Sequence, residues 1–260
     1  MLGLNPLLLT FGVNDAHCDV LVGLAVLIAA LTLQTKRWLW AGLALGVAVS
    51  IKGSAAPAVV AACVWAWCCF GRAAALRIGL AASVVVGAGL VFAGGLDVVQ
   101  PLRDASRRHT RFSVWNPVHD ALGGWLGTGP PTLGPADGVV ATASGIVVAA
   151  VGCFFIYRHR NDAAPFAAVV VGLIAYQVLG AYVLAWYVAW SLPVLALIWR
   201  SRTALVAFAH ASWLALAYLN GYLAIAVAVL SLGWFVLRRF QGKAAFPWLS
   251  SSGRPILAGP

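Results

Sequence analysis

The sequence predicts an all-α polytopic membrane protein with about eight or nine transmembrane or re-entrant helices and one long loop on the outer face. Hydrophobic residues make up 62% of the 260 residues and charged residues only 9%. That composition does not fit a soluble core of this size. Long runs of Leu, Val, Ala and Ile recur along the chain, and most basic residues fall in short clusters between them. Such clusters are typical of cytoplasmic connections, so the net charge of +10 indicates membrane orientation and not a nucleic-acid partner.

Apolar length and the positions of Lys and Arg define the predicted spans. They are Cys18–Gln34, the two arms of a hairpin within Trp38–Phe70, Leu76–Gly94, Val139–Tyr157, Pro165–Leu184, Val188–Trp199, Thr203–Leu219 and Tyr222–Leu237. The chain, residues 1–260, is expected to form a single transmembrane domain with an external loop at 95–138 and a cytoplasmic tail at 240–260. Because the short basic connections all fall on one face, that face is predicted to be cytoplasmic. The site is therefore expected on the extracytoplasmic face of the cell membrane.

Lys52 is the residue around which the predicted hairpin is organised. It is the only charged residue within Trp38–Phe70. A charged side chain at the centre of a lipid-facing helix costs about 3 kcal/mol on insertion scales, so this lysine should face protein, water or an anionic ligand. Gly53 and Pro57 weaken the helix beside it. We therefore predict two short helices with Lys52 near the tip between them.

Two other patterns are expected to serve structure. Gly42 and Gly46 form a GxxxG motif, which predicts close packing of two membrane helices. The cysteines at positions 18, 63, 68, 69 and 153 lie in or beside apolar runs without a CxxC motif, and the histidines lack metal-ligand spacing. Neither a disulfide framework nor a metal site or other cofactor is therefore expected.

The predicted external loop breaks the charge rule, because it carries four arginines. They are Arg103, Arg107, Arg108 and Arg111. Either the predicted topology is wrong at one span, or these arginines have an anionic partner. The same loop has an interfacial pattern, in which Trp115 and Trp125 can enter the headgroup region while the arginines stay in water.

A second polar group precedes the first span, on the same face as Lys52. It comprises Asn14, Asp15, His17 and Asp19. Carboxylates and an imidazole beside several cations are suited to acid–base chemistry. The alternative is that Asn14 or Asp15 only caps the helix. Trp186, Tyr187 and Trp190 similarly fit either an ordinary aromatic belt or a surface that packs against substrate.

Four segments together resemble the GT-C superfamily of integral membrane glycosyltransferases. They are Asn5-Pro6, His17 with Asp19, Ala41–Lys52, and YVLAWYVAWSLPVLAL at Tyr182–Leu197, which is similar to a WY..W.LP segment of that superfamily. More narrowly, they resemble bacterial polyprenyl-phosphate-mannose-dependent mannosyltransferases. The similarity covers most of residues 5–200, as the later part of such an enzyme. Because those enzymes place their catalytic aspartate further upstream, we expect this chain to lack an N-terminal part and to be catalytically incomplete alone.

The resemblance implies transfer of a sugar, expected to be mannose, from a polyprenyl-phosphate sugar donor to a cell-envelope glycan or glycolipid acceptor. Cations stabilise the developing charge of a leaving phosphate. The residues expected to bind the donor phosphate are therefore Lys52, Arg107, Arg108 and Arg111. The implied catalytic residues are Asp19, His17 and Asp15, with substrate packing from Trp186, Tyr187 and Trp190. Two other classes stay open, namely a transporter of a lipid-linked substrate and a non-catalytic subunit that binds polyprenyl phosphate. A buried lysine and broken helices would also be natural in a transporter.

Overall fold

The structure is a computed structural model that describes residues 18–95, 109–110, 113–126, 134–158, 165–198 and 201–219. Across these residues the regular secondary structure is helical, which confirms the all-α prediction for them. The helices are α1 (Asp19–Gln34), α2 (Trp38–Ile51), α3 (Ala56–Phe70), α4 (Arg72–Phe92), α5 (Asn116–Leu126), α6 (Pro135–Arg158), α7 (Pro165–Leu179), α8 (Leu192–Leu197) and α9 (Arg202–Leu219). Two 3-10 helices cover Gly53–Ala55 and Ala185–Trp190. The predicted span Tyr222–Leu237 and the tail at 240–260 lie outside the described residues.

Three stretches of the described chain are long and apolar enough to cross a membrane. They are Gly53–Phe70, Arg72–Phe92 and Pro135–Arg158. Four further apolar helices are shorter, namely Asp19–Gln34, Trp38–Ile51, Pro165–Leu179 and Ala204–Leu214. Large apolar side chains such as Leu80, Val84 and Ile146 point away from the protein core. A surface of this kind is suited to lipid and supports a membrane protein, whereas the predicted number of spans stays a prediction.

Contacts between Cα atoms divide the chain into two compact units, Met1–Leu197 and Ile198–Pro260. The first unit contains α1 to α8. The second contains α9, on which Ala204, Ala207 and Ala211 are buried at helical spacing. The prediction of a single transmembrane domain stays a prediction.

Glycines set the closest helix contacts in the first unit. A Cβ atom added at Gly46 would lie 2.8 Å from the carbonyl oxygen of Ala82, and one at Gly42 would clash with the carbonyl oxygen of Ile78. Helix α2 therefore packs on α4 through its GxxxG face, which confirms the packing role predicted for it. Gly172 of α7 similarly lies against α3.

The helical hairpin breaks at Lys52, as predicted. Helix α2 ends at Ile51, and Lys52 has an extended backbone with φ −151° and ψ 108°. The 3-10 turn Gly53–Ala55 then leads into α3, where Pro57 stands in the first turn and its missing N–H leaves no carbonyl unpaired. With that turn included, the second arm covers Gly53–Phe70 and is long enough to span a membrane.

At the opposite end of these helices, aromatic rings surround a basic turn. Lys36 has a positive φ of 55° in the connection from α1 to α2. Its ammonium lies 5.3 Å from the centroid of the Phe70 ring, and the Trp38 ring is 4.9 Å from the same ring. Lys36 and Lys52 thus belong to opposite ends of α2, since one precedes the helix and the other follows it.

The predicted external loop contains regular structure. Helix α5 forms within it, and Trp125 of that helix is 92% exposed, whereas Trp115 is half-buried and hydrogen-bonded to Leu179. The predicted insertion of these rings into the headgroup region stays a prediction. The next helix begins at Pro135 and not at Val139. Proline fits a first helical turn, and Asp137 there meets the positive end of the helix, which explains the earlier start.

The predicted spans Pro165–Leu184 and Val188–Trp199 differ from the structure. Helix α7 ends at Leu179, and the α-helix returns only over Leu192–Leu197. Gly180 disfavours the helix interior, and Pro193 fits the first turn of a new helix better than the middle of an old one. We call residues 180–191 the broken segment.

Donors from the loop satisfy the backbone at the end of α7. The Trp115 indole N–H donates to the Leu179 carbonyl at 2.6 Å, and the Ser113 hydroxyl donates to the Gly180 carbonyl at 2.9 Å. The backbone N–H of Thr110 donates to the Ala181 carbonyl at 2.9 Å. We call residues 109–110 and 113–115 the strap. Irregular backbone among apolar helices needs such partners, so the strap makes the break in α7 tolerable.

Candidate functional site

An ion pair joins the start of α1 to the break after α2. Lys52 Nζ lies 2.8 Å from Asp19 Oδ1 and 3.1 Å from Asp19 Oδ2. The Asp19 side chain is fully buried, whereas the Lys52 side chain is 23% exposed. Asp19 is in the first turn of α1, where the helix dipole also favours a negative charge. The two predicted site residues therefore compensate each other's charge.

The broken segment supplies the aromatic wall of this site. Trp190 donates its indole N–H to Asp19 Oδ1. The Lys52 ammonium lies 4.5 Å from the centroid of the Tyr187 ring and 5.4 Å from that of the Trp190 ring, within the range of cation–π attraction. Those two rings stack on each other at 4.1 Å. The lysine is thus held by one carboxylate and two aromatic faces.

Further side chains fix the aromatic wall in place. The ring of Tyr176 in α7 is stacked 6.3 Å from those of both Tyr187 and Trp190. The buried Gln177 amide donates to the Tyr187 carbonyl at 2.8 Å. The wall therefore depends on α7 as well as on the broken segment.

Gly23 lets the broken segment approach α1. A Cβ atom at this position would clash with the Ala189 carbonyl oxygen and lie 3.2 Å from Pro193 Cγ. Gly23 is one turn after Asp19, so the contact that Gly23 permits is also what brings Trp190 within reach of the carboxylate. Any larger residue would force the two elements apart.

The geometry favours an orienting role for Asp19. Both of its oxygens contact the Lys52 ammonium, Oδ1 also accepts from Trp190, and the side chain has no exposed surface. A carboxylate in this position is poorly placed to take a proton from an external hydroxyl. Lys52 differs, because its side chain is 23% exposed and its ammonium has three N–H groups, so it is the member of the pair that a second anion can approach.

The other predicted site residues fall into two groups. Tyr187 and Trp190 are 3% and 0% exposed, so their rings support Lys52 and Asp19, and they form neither an exposed aromatic belt nor an open substrate surface. The remainder lie outside the described residues: Asp15, His17, Arg107, Arg108, Arg111 and the side chain of Trp186. Their predicted roles stay predictions.

Sequence reasoning missed the supporting residues Tyr176, Gln177 and Ser191. Gln177 also hydrogen-bonds to the buried Ser191 hydroxyl at 3.3 Å. A glutamine in an apolar helix was the available signal, because a buried amide needs partners. The partners themselves could not be deduced, since they lie beyond the predicted end of that helix.

A second polar cluster lies where the strap meets α5 and α6. The Asp137 Oδ1 atom is 3.2 Å from His109 Nδ1 and 3.3 Å from His119 Nε2. The two imidazole rings are stacked with centroids 3.7 Å apart. The absence of metal sites was predicted from sequence spacing alone, and the fold brings together three potential ligands that are 10 and 18 residues apart along the chain.

Comparison with known proteins finds no family model, no curated protein and no solved structure that matches the chain. The resemblance to GT-C glycosyltransferases therefore stays a prediction that rests on its four sequence segments.

Proposed function

We propose that this chain binds a polyprenyl-phosphate sugar beside Lys52 and acts in the transfer of that sugar, expected to be mannose, to a glycan or glycolipid acceptor. The donor keeps its lipid in the bilayer and presents its phosphate and sugar at the extracytoplasmic face. The single observation that carries the proposal is the Lys52 ammonium. It contacts Asp19 and lies over two aromatic rings, and the Lys52 side chain as a whole is 23% exposed.

A cation fixed between two apolar helices suits a phosphate that is tethered to lipid. A lysine that served only to neutralise Asp19 would gain nothing from remaining exposed. Charged groups inside membrane proteins are costly, and they are typical of substrate sites. The arginines of the loop, Arg107, Arg108 and Arg111, are proposed to approach the same phosphate, since the strap that follows them docks on the broken segment.

The proposed reaction is a displacement at the anomeric carbon. The acceptor hydroxyl oxygen forms the new glycosidic bond while the bond from that carbon to the phosphate oxygen breaks. Polyprenyl phosphate leaves with the bonding electron pair, and Lys52 stabilises its developing charge. The hydroxyl proton passes to a carboxylate, for which Asp15 is the better candidate because Asp19 is buried against Lys52.

The broken segment favours one alternative. Interrupted helices beside a charged residue are also the usual substrate sites of membrane transporters. A transporter of a lipid-linked substrate would bind the same donor and move it between leaflets without forming a product. A non-catalytic subunit would bind the donor without moving it between leaflets and without forming a product.

Donor binding is the first test. The full chain in lipid nanodiscs is titrated with radiolabelled polyprenyl-phosphate mannose. We expect the Lys52→Met variant to bind about tenfold more weakly or worse, because one hydrogen bond to a charged group is lost. Lys52→Arg should retain only part of the affinity, since a planar guanidinium differs from a compact ammonium. Lys36→Met, at the other end of α2, is the matched control and should bind normally.

The double variant Asp19→Asn/Lys52→Met separates binding from folding, because it leaves no unpaired charge. Normal donor affinity in that variant would refute the phosphate role of Lys52. Formation of radiolabelled glycolipid from added acceptor then identifies a transferase, whereas donor movement across vesicles without product identifies a transporter.

A further inference from the structure

Three side chains from separate segments converge at the N-terminal end of α6, beside the strap. His109 comes from the strap, His119 from α5 and Asp137 from the first turn of α6. One ligand atom from each lies within 4.8 Å of the other two. All three residues are largely shielded from solvent, with side chains 22%, 11% and 15% exposed. This arrangement is independent of Lys52 and of the function proposed above.

The distances match the edges of a tetrahedral metal site. With zinc bonds of about 2.0–2.1 Å to nitrogen and oxygen, neighbouring ligand atoms lie about 3.4 Å apart. The His109 Nδ1 to Asp137 Oδ1 and His119 Nε2 to Asp137 Oδ1 distances are 3.2 and 3.3 Å. Binding an ion there requires the two imidazole rings, now stacked with centroids 3.7 Å apart, to turn until both ring planes contain the ion.

Neighbouring groups orient two of the ligands as metal sites usually require. His119 Nδ1 lies 3.4 Å from Asp120 Oδ1, which favours a proton on that nitrogen and leaves Nε2 as the ligand atom. Asp120 is itself held by the Asn116 amide, which donates to Oδ2 at 3.1 Å. The Gly134 N–H donates to Asp137 Oδ2 at 2.8 Å and leaves Oδ1 directed at the histidines.

We propose that His109, His119 and Asp137 bind a divalent transition-metal ion of the Zn²⁺ class. Two imidazoles and one carboxylate suit Zn²⁺ and exclude a preference for Mg²⁺, which favours oxygen ligands in an octahedron. Three protein ligands leave one position of a tetrahedron for water or another ligand. The ion joins the strap and α5 to the start of α6, and so holds the strap against the broken segment.

Cobalt(II) tests the proposal directly, because tetrahedral Co²⁺ is coloured and Zn²⁺ is not. The full chain is purified in nanodiscs, its tag is removed, and it is titrated with CoCl₂ after treatment with a chelator. We expect one equivalent to give intense visible bands, which Zn²⁺ abolishes by displacement and Mg²⁺ leaves unchanged. His119→Gln and Asp137→Asn should lose the bands. Asp120→Asn should weaken binding about tenfold through the neighbouring contact.

His210→Gln is the matched control and should bind Co²⁺ like the wild type. Equal binding by the His119→Gln and control variants, or a wild type without one equivalent bound, would overturn the proposal. If the ligand variants fail to fold, the wild type still decides. Zn²⁺ must then protect His109 and His119 from modification by diethyl pyrocarbonate, measured by peptide mass spectrometry, and undiminished modification at both overturns the site.

Discussion

Asp19 and Lys52 compensate each other's charge among apolar helices. Either charge by itself would be costly among apolar helices, and their contact at 2.8 Å offsets part of that cost. The two are unequal partners, because Asp19 is fully buried while Lys52 keeps 23% of its side chain exposed. Substitution of Lys52 therefore leaves the buried Asp19 carboxylate without a cation and without water. The effect of substituting either residue on stability thus depends on whether its partner is still present.

A double-mutant cycle measures this dependence. Lys52→Met should lower the free energy of unfolding by roughly 3 kcal/mol, because it leaves the Asp19 carboxylate buried without its cation. Asp19→Asn should cost less, since the exposed side of Lys52 can hydrate. The double variant should recover much of the loss. Unfolding of the purified chain in mixed micelles gives the four values, and additive losses would show that the pair has no energetic coupling.

The residue scale also shows how far the sequence could be interpreted. Lys52 could be identified because it is the only charge in a long apolar stretch. Asp19 was predicted on the same face as Lys52, but the contact could not be deduced, since Asp19 is 33 residues away and the Asp19–Trp190 contact spans 171 residues. The three residues proposed above as metal ligands could not be grouped for the same reason. His109, His119 and Asp137 form no local motif, and only the docking of the strap brings them together.

At the scale of elements, helix packing was predictable where small residues mark it and unpredictable where the backbone departs from regularity. The GxxxG face of α2 correctly predicted a close helix contact. The apolar run that ends at Trp199 suggested a helix, yet the structure breaks it at 180–191. Hydropathy measures burial and not backbone geometry, so a buried 3-10 segment and a membrane helix have the same pattern.

Two glycines test the packing of α2 on α4. Gly46→Ala should destabilise the protein by about 1–3 kcal/mol, because the new methyl group would lie 2.8 Å from the Ala82 carbonyl oxygen. Gly87→Ala on α4 has open space around its Cβ and should be neutral or stabilising by about 0.5–1 kcal/mol. Thermal unfolding of the two variants should therefore shift in opposite directions. A Gly46→Ala variant as stable as Gly87→Ala would contradict the contact.

For the whole molecule, the fold places the polar contacts and the basic turn at different ends of the helices. Asp19, Lys52 and the strap meet the broken segment at one end, and Lys36 with Arg37 connects α1 to α2 at the other. The positive-inside rule then predicts that the first end faces outward.

Cysteine labelling in intact cells tests the orientation. In a cysteine-free background, Trp125→Cys should react with a membrane-impermeant maleimide, because that position is 92% exposed on α5. Thr35→Cys, in the turn before α2, should react only after permeabilisation. Ser113 would be a poor probe, since it is buried and hydrogen-bonded to Gly180. If only Thr35→Cys were labelled in intact cells, the orientation in the membrane would be the opposite of the predicted one.

The long separation between Asp19 and Trp190 has a consequence for biosynthesis. Asp19 and Lys52 are synthesised only 33 residues apart, so the charge pair can form once α1, α2 and Lys52 have left the ribosome. Trp190 follows 171 residues after Asp19. Until Trp190 is synthesised, the ion pair lacks the aromatic wall. The site is therefore complete only after the broken segment has been synthesised.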